Sequence, residues 1–389
     1  MRIIVTDANE RAALAACRAL VTAGHEVHVT ADTPVSLAGV SRGVHAHRLR
    51  HDPLGYPAAY AREVASLARD TGGDLLLAVT DASVDALLQR QDLLPDTVAL
   101  PFPSYRSYRL ASDKASMLAY ATSAGLGVPL SAVIEQPGDG IDIPPDWFPA
   151  VLKPHRSVVG SGAGAAKLTV SFVADRPSLE AVLASLPPPA FPVLVQRRVQ
   201  GPGVGLFLLR WDGRIVAAFA HRRLREKPPA GGVSTYRESV AVDPDLLAAG
   251  TRLLDLLDWR GVAMIECKRE ESSGRYVFME LNGRLWGSLQ LAIDAGINFP
   301  ALLANCVAGQ AMMPVGGYRL GVRSRWFWGD VDHFYLRLKG PPQAPDSRLE
   351  ALREFVTIRP RRDREEIWRW RDPAPFFVET CRWLRALRH

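Results

Sequence analysis

Lysine is scarce in this chain of 389 residues, with 6 against 41 arginines, so the position of each lysine carries more information than usual. Cysteine is scarce as well. Cys17, Cys267, Cys306 and Cys381 lie far apart and form no CxxC pair, which argues against a zinc site or a disulfide framework and predicts reduced thiols in a cytoplasmic protein. No apolar run approaches the roughly 18 residues needed to cross a bilayer. The opening MRIIVTDANE, with one basic residue and a short apolar run, does not predict a signal peptide. No GxGxxG follows that run, so no dinucleotide site is expected. Sequence repeats and low-complexity tracts are missing too. An excess of one charge sign is also missing from most of the chain. Residues 1–317 hold 31 of each sign, and the net charge of +6 comes from residues 318–389, with 16 basic and 10 acidic side chains. A nucleic-acid partner therefore has little support.

Apolar residues make up 48% and charged residues 23%, an ordinary globular composition on a chain long enough for two or three packed units. RIIVTDA reads as a strand ending in a polar turn, Glu10 to Ala23 as a helix closed by Gly24, and HEVHVTAD as a second strand. DLLLAVTDASVDALL repeats strand, Thr-Asp turn and helix, and such alternation implies a parallel sheet covered by helices. This first unit is expected to end at the Pro-rich ALPFPSY, giving a domain over 1–103. LASDKASMLAYATSAG follows as one helix, with Ser112 as N-cap, a face of Met117, Ala121 and Ala124, and Gly125 as the stop. Strands then dominate: WFPAVLKP, AKLTVSFV, VLVQRRV, VGLFLLRWDGRIVAAFAHRRL, GVAMIECKRE and GRYVFMELN. A helix around Asp243 to Leu257 interrupts them, and GSLQLAIDAG, stopped by Gly296, closes the series.

Three features in this stretch carry chemistry. Lys153 ends an apolar strand, where exposure to solvent is not the default, and Lys114 stands in the first turn of a helix. An ammonium is a compact point charge suited to a phosphate cluster. The glycine-rich SVVGSGAG (157–164) follows Lys153 and can present backbone N–H groups to phosphate oxygens. The third feature is a hairpin. Residues i and i+2 of a strand face the same way, so Glu266 shares a face with Met264 and Lys268, and Glu280 and Asn282 share one with Phe278. If the hairpin turns about Ser272-Ser273-Gly274, Glu266 lies opposite Glu280. Two carboxylates facing each other at about 5 Å destabilise a sheet unless something neutralises them.

With these elements in this order, residues from about Ser104 to Met313 resemble the ATP-grasp superfamily, most closely its carboxylate–amine ligase-like branch. The resemblance implies an N-terminal Rossmann-like, parallel-sheet α/β pre-ATP-grasp domain (1–103). A two-lobed α+β ATP-grasp domain (104–313) would follow, with a mobile lid lobe at about 127–195, and then a basic, Trp-rich C-terminal extension (314–389). It implies ATP and Mg²⁺, or Mn²⁺, as cofactors. Lys114, Lys153, Ser157, Gly160 and Gly162 would hold phosphates, and the backbones of Gln196 and Val199 would hold the adenine edge. Glu266, Glu280 and Asn282 would be the metal ligands, Lys153 would offset the charge of the transferred phosphoryl group, and Arg284 would stabilise that group or the bound carboxylate. Arg222 and Arg225, with Gly231-Gly232, look like the substrate-side loop. The chain departs from the family in the hinge LVQRRVQG, where Gln196, Arg197 and Pro202 replace acidic residues.

The implied activity is ATP-dependent formation of an amide or peptide-like bond from a carboxylate and an amine through an acyl phosphate. A kinase or carboxylase of the same fold, and a non-catalytic nucleotide-binding protein, remain open alternatives. Homodimers are common in the superfamily. Phe377, Cys381 and Leu384 could form one face of a C-terminal helix, packed on the body or presented to a partner or membrane surface. His155 and His221 receive no role.

Overall fold

The computed structural model describes residues 1–139, 143–155, 158–159, 166–168, 170–229, 231–310, 313–339, 347–357 and 362–387. The chain starts as β1 (Arg2–Val5), α1 (Arg11–Thr22), β2 (Glu26–Ala31), β3 (Val44–Arg48), α2 (Pro57–Thr71), β4 (Leu75–Leu77) and α3 (Asp81–Gln89). Its strands make an all-parallel sheet in the order β3-β2-β1-β4. Thr80 caps α3, accepting from Ser83 N at 3.2 Å, at the turn that the Thr-Asp pair announced.

The next helix is two helices. α4 (Tyr105–Ala111) starts at Ser104, and α5 (Lys114–Ser123) starts at Asp113, whose carboxylate accepts from Ser116 N at 2.9 Å. Asp113, not Ser112, is therefore the N-cap. A carboxylate acceptor one residue later satisfies an orphan amide of the first turn, and Lys114 becomes the first helical residue. Met117, Ala121 and Ala124 are buried together as their spacing required.

A second sheet follows, formed by β5 (Ser131–Ile134), β6 (Ala150–Pro154), a two-residue pair β7 (Val158–Val159) and β8 (Ala166–Lys167) standing apart, β9 (Ser171–Val173), α6 (Arg176–Ser185) and β10 (Val193–Arg197). Its strand order is β5-β10-β6-β9, antiparallel throughout. The third sheet contains β11 (Gly203–Trp211), β12 (Arg214–Lys227), β13 (Val233–Val240), then, after α7 (Pro244–Leu256), β14 (Gly261–Arg269) and β15 (Tyr276–Asn282). After α8 (Leu289–Ala295) and α9 (Phe299–Val307) it is completed by β16 (Arg323–Arg325) and, beyond α10 (Phe327–Lys339) and α11 (Ser347–Val356), by β17 (Asp363–Glu365). The order is β15-β14-β11-β12-β13-β16-β17. The fold is thus α/β at the start and α+β in the centre, as the sequence predicted.

Burial divides these layers unevenly. Alternation along β11 and β14 sends Phe207, Leu209, Val262 and Met264 into one core with α1, α8 and α9, and Leu206, Leu208, Ala263 and Ile265 into another with α5 and α7. Residues of the parallel sheet enter both cores: Ile3 and Val5 the first, Ile4 and Leu76 the second. The β5-β10-β6-β9 sheet packs on its own small core around Leu152, Leu179 and Val195. Its link to the third sheet is tight. Gly201 has φ +133, and a Cβ there would sit 2.0 Å from the Arg269 carbonyl oxygen, so only glycine fits.

The C-terminal helix α12 (Ala374–Ala386) corrects the predicted face. Trp383 stacks on Trp328 at 4.1 Å between ring centroids, Trp328 Nε1 donates to Thr380 and Trp326 Nε1 to Glu379. The packed face is therefore 376, 379, 380 and 383, while Phe377 and Leu384 are 57% and 49% exposed. Indole donors and a stacked Trp pair, which need particular partners, set the helix rotation in place of the aliphatic stripe.

Candidate active site

A cavity of about 620 Å³ opens between the second sheet and the third. Four of the six lysines line it: Lys114, Lys153, Lys227 and Lys268. The amide of Lys114 donates to the carbonyl of His155 at 3.0 Å, which holds the start of α5 against the end of β6 and brings Lys114 and Lys153 together. Burial, followed by the charge of Lys114, pulls the Lys153 ammonium below the usual lysine range, with Glu280 opposing the change. Lys268 donates to the Val199 carbonyl at 3.1 Å and so ties the hinge to β14. Gln196 is buried and its amide reaches Ser131 Oγ at 2.9 Å, away from the cavity centre.

Glu266 pairs directly with Glu280 across β14 and β15. The register is right, but the turn alone does not set it. Near the turn Lys268 pairs with Val277 and Cys267 with Phe278; a bulge at Met279 then moves the pairing by one residue. Without it Glu266 would face Met279. The bulge also corrects the expected faces. Phe278 lies in the core with Cys267 and Ile265, whereas Glu280 and Asn282 turn into the cavity with Met264, Glu266 and Lys268.

The facing carboxylates are not left to repel each other. Arg223 forms an ion pair with Glu266 and a second with Glu226 at 3.0 Å. Asn282 donates its amide to Glu280 at 3.1 Å and to Glu266 at 3.5 Å. Burial raises Glu280, but Lys114 and Lys153 outweigh it and hold this carboxyl below the usual range. Glu266 is pushed up, by burial first and by Glu280 beside it, against the pull of Arg223. Two carboxylates, bridged by the Asn282 amide N–H, thus converge beside two ammonium groups. Such a donor set fits Mg²⁺ carrying phosphates. Among the described residues no group of three His, Cys, Asp or Glu side chains competes for a metal.

Arg284 is fixed from the first unit. Its Nε lies 2.9 Å from Asp81, the first residue of α3, and Tyr108 donates to the same carboxylate at 3.2 Å. Burial would raise the Asp81 carboxyl, yet the guanidinium more than offsets this and keeps it ionised. Arg284 Nη2 reaches Asn282 Oδ1 at 3.4 Å, so the cation stands at the edge of the carboxylate cluster.

Residues 190–327 match the family model described as ATP-grasp in the biosynthetic pathway with Ter operon. Over those residues the chain is similar to ATP-grasp proteins. Solved ATP-grasp structures share its fold. The L-amino acid ligase from Bacillus licheniformis superposes with TM-score 0.60 at 16% identity, covering 81% of this chain and 77% of that one. N5-carboxyaminoimidazole ribonucleotide synthetase from Thermotoga maritima gives 0.58 at 14% identity, with 83% and 79% covered. Biotin carboxylase from Campylobacter jejuni gives 0.59 at 16%, with 82% and 74% covered. No curated protein sequence matches.

In this fold Lys114, Lys153, Gln196, Val199, Glu266, Glu280, Asn282 and Arg284 all line the one cavity. Ser157, Gly160 and Gly162 lie outside the described residues. Arg222 and Arg225 are not brought to the cavity. Arg222 pairs with Glu238 at 2.6 Å on the opposite side of β12, and Arg225 pairs with Asp330 under α10 at 3.0 Å. Arg223, between them, faces inward. Period-2 alternation puts His221 and Arg223 on one face, and a bulge after Arg223 keeps Arg225 off it. That signal was present in HRRLREK. For Arg11, Arg237 and Trp286, which also line the cavity, the sequence carries no local signal.

Proposed function

We propose that the protein is an ATP- and Mg²⁺-dependent carboxylate–amine ligase that forms an amide or peptide-like bond by way of an acyl phosphate. The observation that carries this reading is the convergence of Lys114 and Lys153 with the facing Glu266 and Glu280 and with Asn282 in one cavity between two sheets. The ATP-grasp fold of ligases among its structural neighbours supports it.

Glu266, Glu280 and Asn282 would hold the magnesium, which supplies charge neutralisation between phosphate oxygens. Lys114 and Lys153 bind the phosphates as point charges, and the backbones of Gln196 and Val199 lie at the hinge where the adenine edge would sit. A substrate carboxylate oxygen takes the terminal phosphoryl group, releasing ADP; an amine then attacks the acyl carbon and phosphate leaves. Arg284, anchored on Asp81, offsets the negative charge that grows during the first transfer. Little covalent help is asked of the protein, because positioning and preorganised charge do the catalysis. The separate small core of the second sheet suits a lobe, about 127–195, that closes as a unit over the phosphates and excludes water. The described helices include none long and apolar enough to cross a membrane.

Carboxylation is the second reading, because biotin carboxylase shares the fold to the same degree. Two measurements decide. Mg-ATP at about 100 times its dissociation constant stabilises the folded state by roughly 2.7 kcal/mol, so melting rises with nucleotide; an unchanged curve at millimolar Mg-ATP defeats both readings. ADP release stimulated by organic acids, with hydroxylamine giving a hydroxamate, supports the ligase. Release stimulated by bicarbonate alone supports the carboxylase.

A further inference from the structure

Past the phosphate end, the cavity reaches a wall assembled from segments far apart in sequence. Arg11 comes from the start of α1, His221 from β12, Arg237 from β13, and Trp286 from the turn after β15. Arg237 is 1% exposed and Trp286 2%. Each keeps a buried donor without an acceptor among the described residues, Nε of Arg237 and Nε1 of Trp286. Both ring nitrogens of His221 are unpartnered as well. Burial, with Arg223 and Arg237 nearby, drives its pKa well below the ordinary histidine value, so the ring brings no charge at neutral pH.

The charges on this wall do not cancel. Arg11 and Arg237 share a single carboxylate oxygen of Glu366, Arg11 at 2.8 Å and Arg237 in direct contact. The other oxygen of Glu366 has no partner and lies behind the guanidiniums, since Glu366 itself does not line the cavity. Burial, with Arg11 beside it, lowers Arg237 to about 10 despite Glu366. A buried donor left without an acceptor costs about 1–3 kcal/mol, and an uncompensated buried cation costs more. Such orphans are rare in native interiors. Two orphaned donors and one surplus positive charge on the same cavity wall therefore point to a partner that arrives with a ligand.

We infer that Arg237, Arg11 and the Trp286 indole form a subsite for a carboxylate group that does not react, carried by a substrate whose other end reaches the phosphates. The surplus of one positive charge suits a monoanion, and the two N–H donors suit its oxygens. Phe207, 4.5 Å from Trp286 and 4.7 Å from His221 between ring centroids, packs behind both rings and fixes them in the wall. Two kinds of substrate carry such a group: a dicarboxylic acid activated at its far carboxylate, or an amino acid that supplies the amine. The role of the far end rests on the ligase reading; the subsite itself does not.

The test is calorimetric titration of the full-length protein, with Mg-ADP present, by succinate, glutarate, L-alanine and L-glutamate, each beside the amide in which one carboxylate is replaced by a neutral carboxamide. At least one acid should bind about tenfold or more tightly than its amide, and Trp286→Phe should erase most of that preference while leaving Mg-ADP binding intact. Arg237→Lys provides a second variant that retains the charge but loses the Nε donor. Preference for succinate or glutarate assigns the subsite to a dicarboxylate, and preference for alanine or glutamate to an amino acid. The inference is overturned if no acid outbinds its amide, or if both variants keep the wild-type preference. Failure of Mg-ADP to bind would instead sink the ligase reading and leave the acid-over-amide comparison to be read by itself.

Discussion

The phosphate end of the cavity and its inner wall both gather buried charges, but they are put together differently. At the phosphate end the carboxylates come from two adjacent strands and the lysines from the ends of neighbouring elements. Every charge there has a counter-charge within the cluster: Arg223 for Glu266, and Lys114 and Lys153 for Glu280. At the inner wall, Arg11 meets Glu366 across 355 positions of sequence, two guanidiniums share one carboxylate, and buried donors stay unpaired. A cluster that is nearly balanced without ligand is suited to hold a cation that itself arrives with negative phosphates. A wall with a positive surplus is suited to an anion.

The hardest blow to that comparison is Lys153→Ala. Removing one preorganised charge contact at a developing charge typically costs 10²–10³-fold in turnover. The variant should fold normally, since burial already disfavours its ammonium. Turnover close to wild type would demote Lys153 to a bystander.

A paired substitution sharpens the view of β12. Arg223→Met leaves Glu266 buried beside Glu280 without its main partner and should cost about 3 kcal/mol of stability, because breaking a buried pair strands a charge. Arg222→Ala removes a half-exposed arginine whose partner Glu238 keeps Arg323 at 3.0 Å, and should cost less than about 1 kcal/mol. Urea denaturation of both variants checks the order; equal effects would mean that the two faces of β12 are misassigned.

The smallest effect concerns the support behind the inner wall. Glu379 accepts from Trp326 Nε1 at 2.7 Å, and the Trp326 ring lies 3.9 Å beneath the Arg11 guanidinium. Burial raises the Glu379 carboxyl to about 7. A carboxyl raised on folding holds its proton in the native state while the unfolded chain loses it. Its contribution to stability is therefore whole below pH about 4.5 and is lost as pH rises to about 7. Glu379→Gln should flatten this part of the stability–pH profile and gain on the order of 1–2 kcal/mol at pH 8, after allowing for partial exposure. A profile that matches wild type would place the proton elsewhere.

Much of the lysine and carboxylate lining of the cavity was legible because its rules are local. A lysine closing an apolar strand, a lysine opening a helix and an acidic pair in a hairpin are all visible within a few residues. The helix start slipped by one residue because Ser112 and Asp113 are both good caps, and only packing chooses between them. Arg222 and Arg225 were preferred to Arg223 on the resemblance of their segment to a substrate-side loop, although period 2 already sets Arg223 on the same face as His221; only the bulge that keeps Arg225 off that face leaves little trace in sequence. The rotation of α12 depended on indole donors finding Glu379 and Thr380, which no helical periodicity reveals. Arg11, Arg237 and Trp286 became neighbours only through the packing of distant segments around a shared core.

The single inserted residue at Met279 divides β15 into two halves that run in opposite phase. Before it the even-numbered Phe278 points to the core; after it the odd-numbered Leu281 does, and the even positions belong to the cavity. The acidic pair is thus indexed from the insertion rather than counted from the turn. The loop Glu270–Arg275 can change its residues without touching the site, whereas drawing Met279 into regular pairing opposite Glu266 would turn Glu280 and Asn282 into apolar packing and bring Leu281 out among the charges.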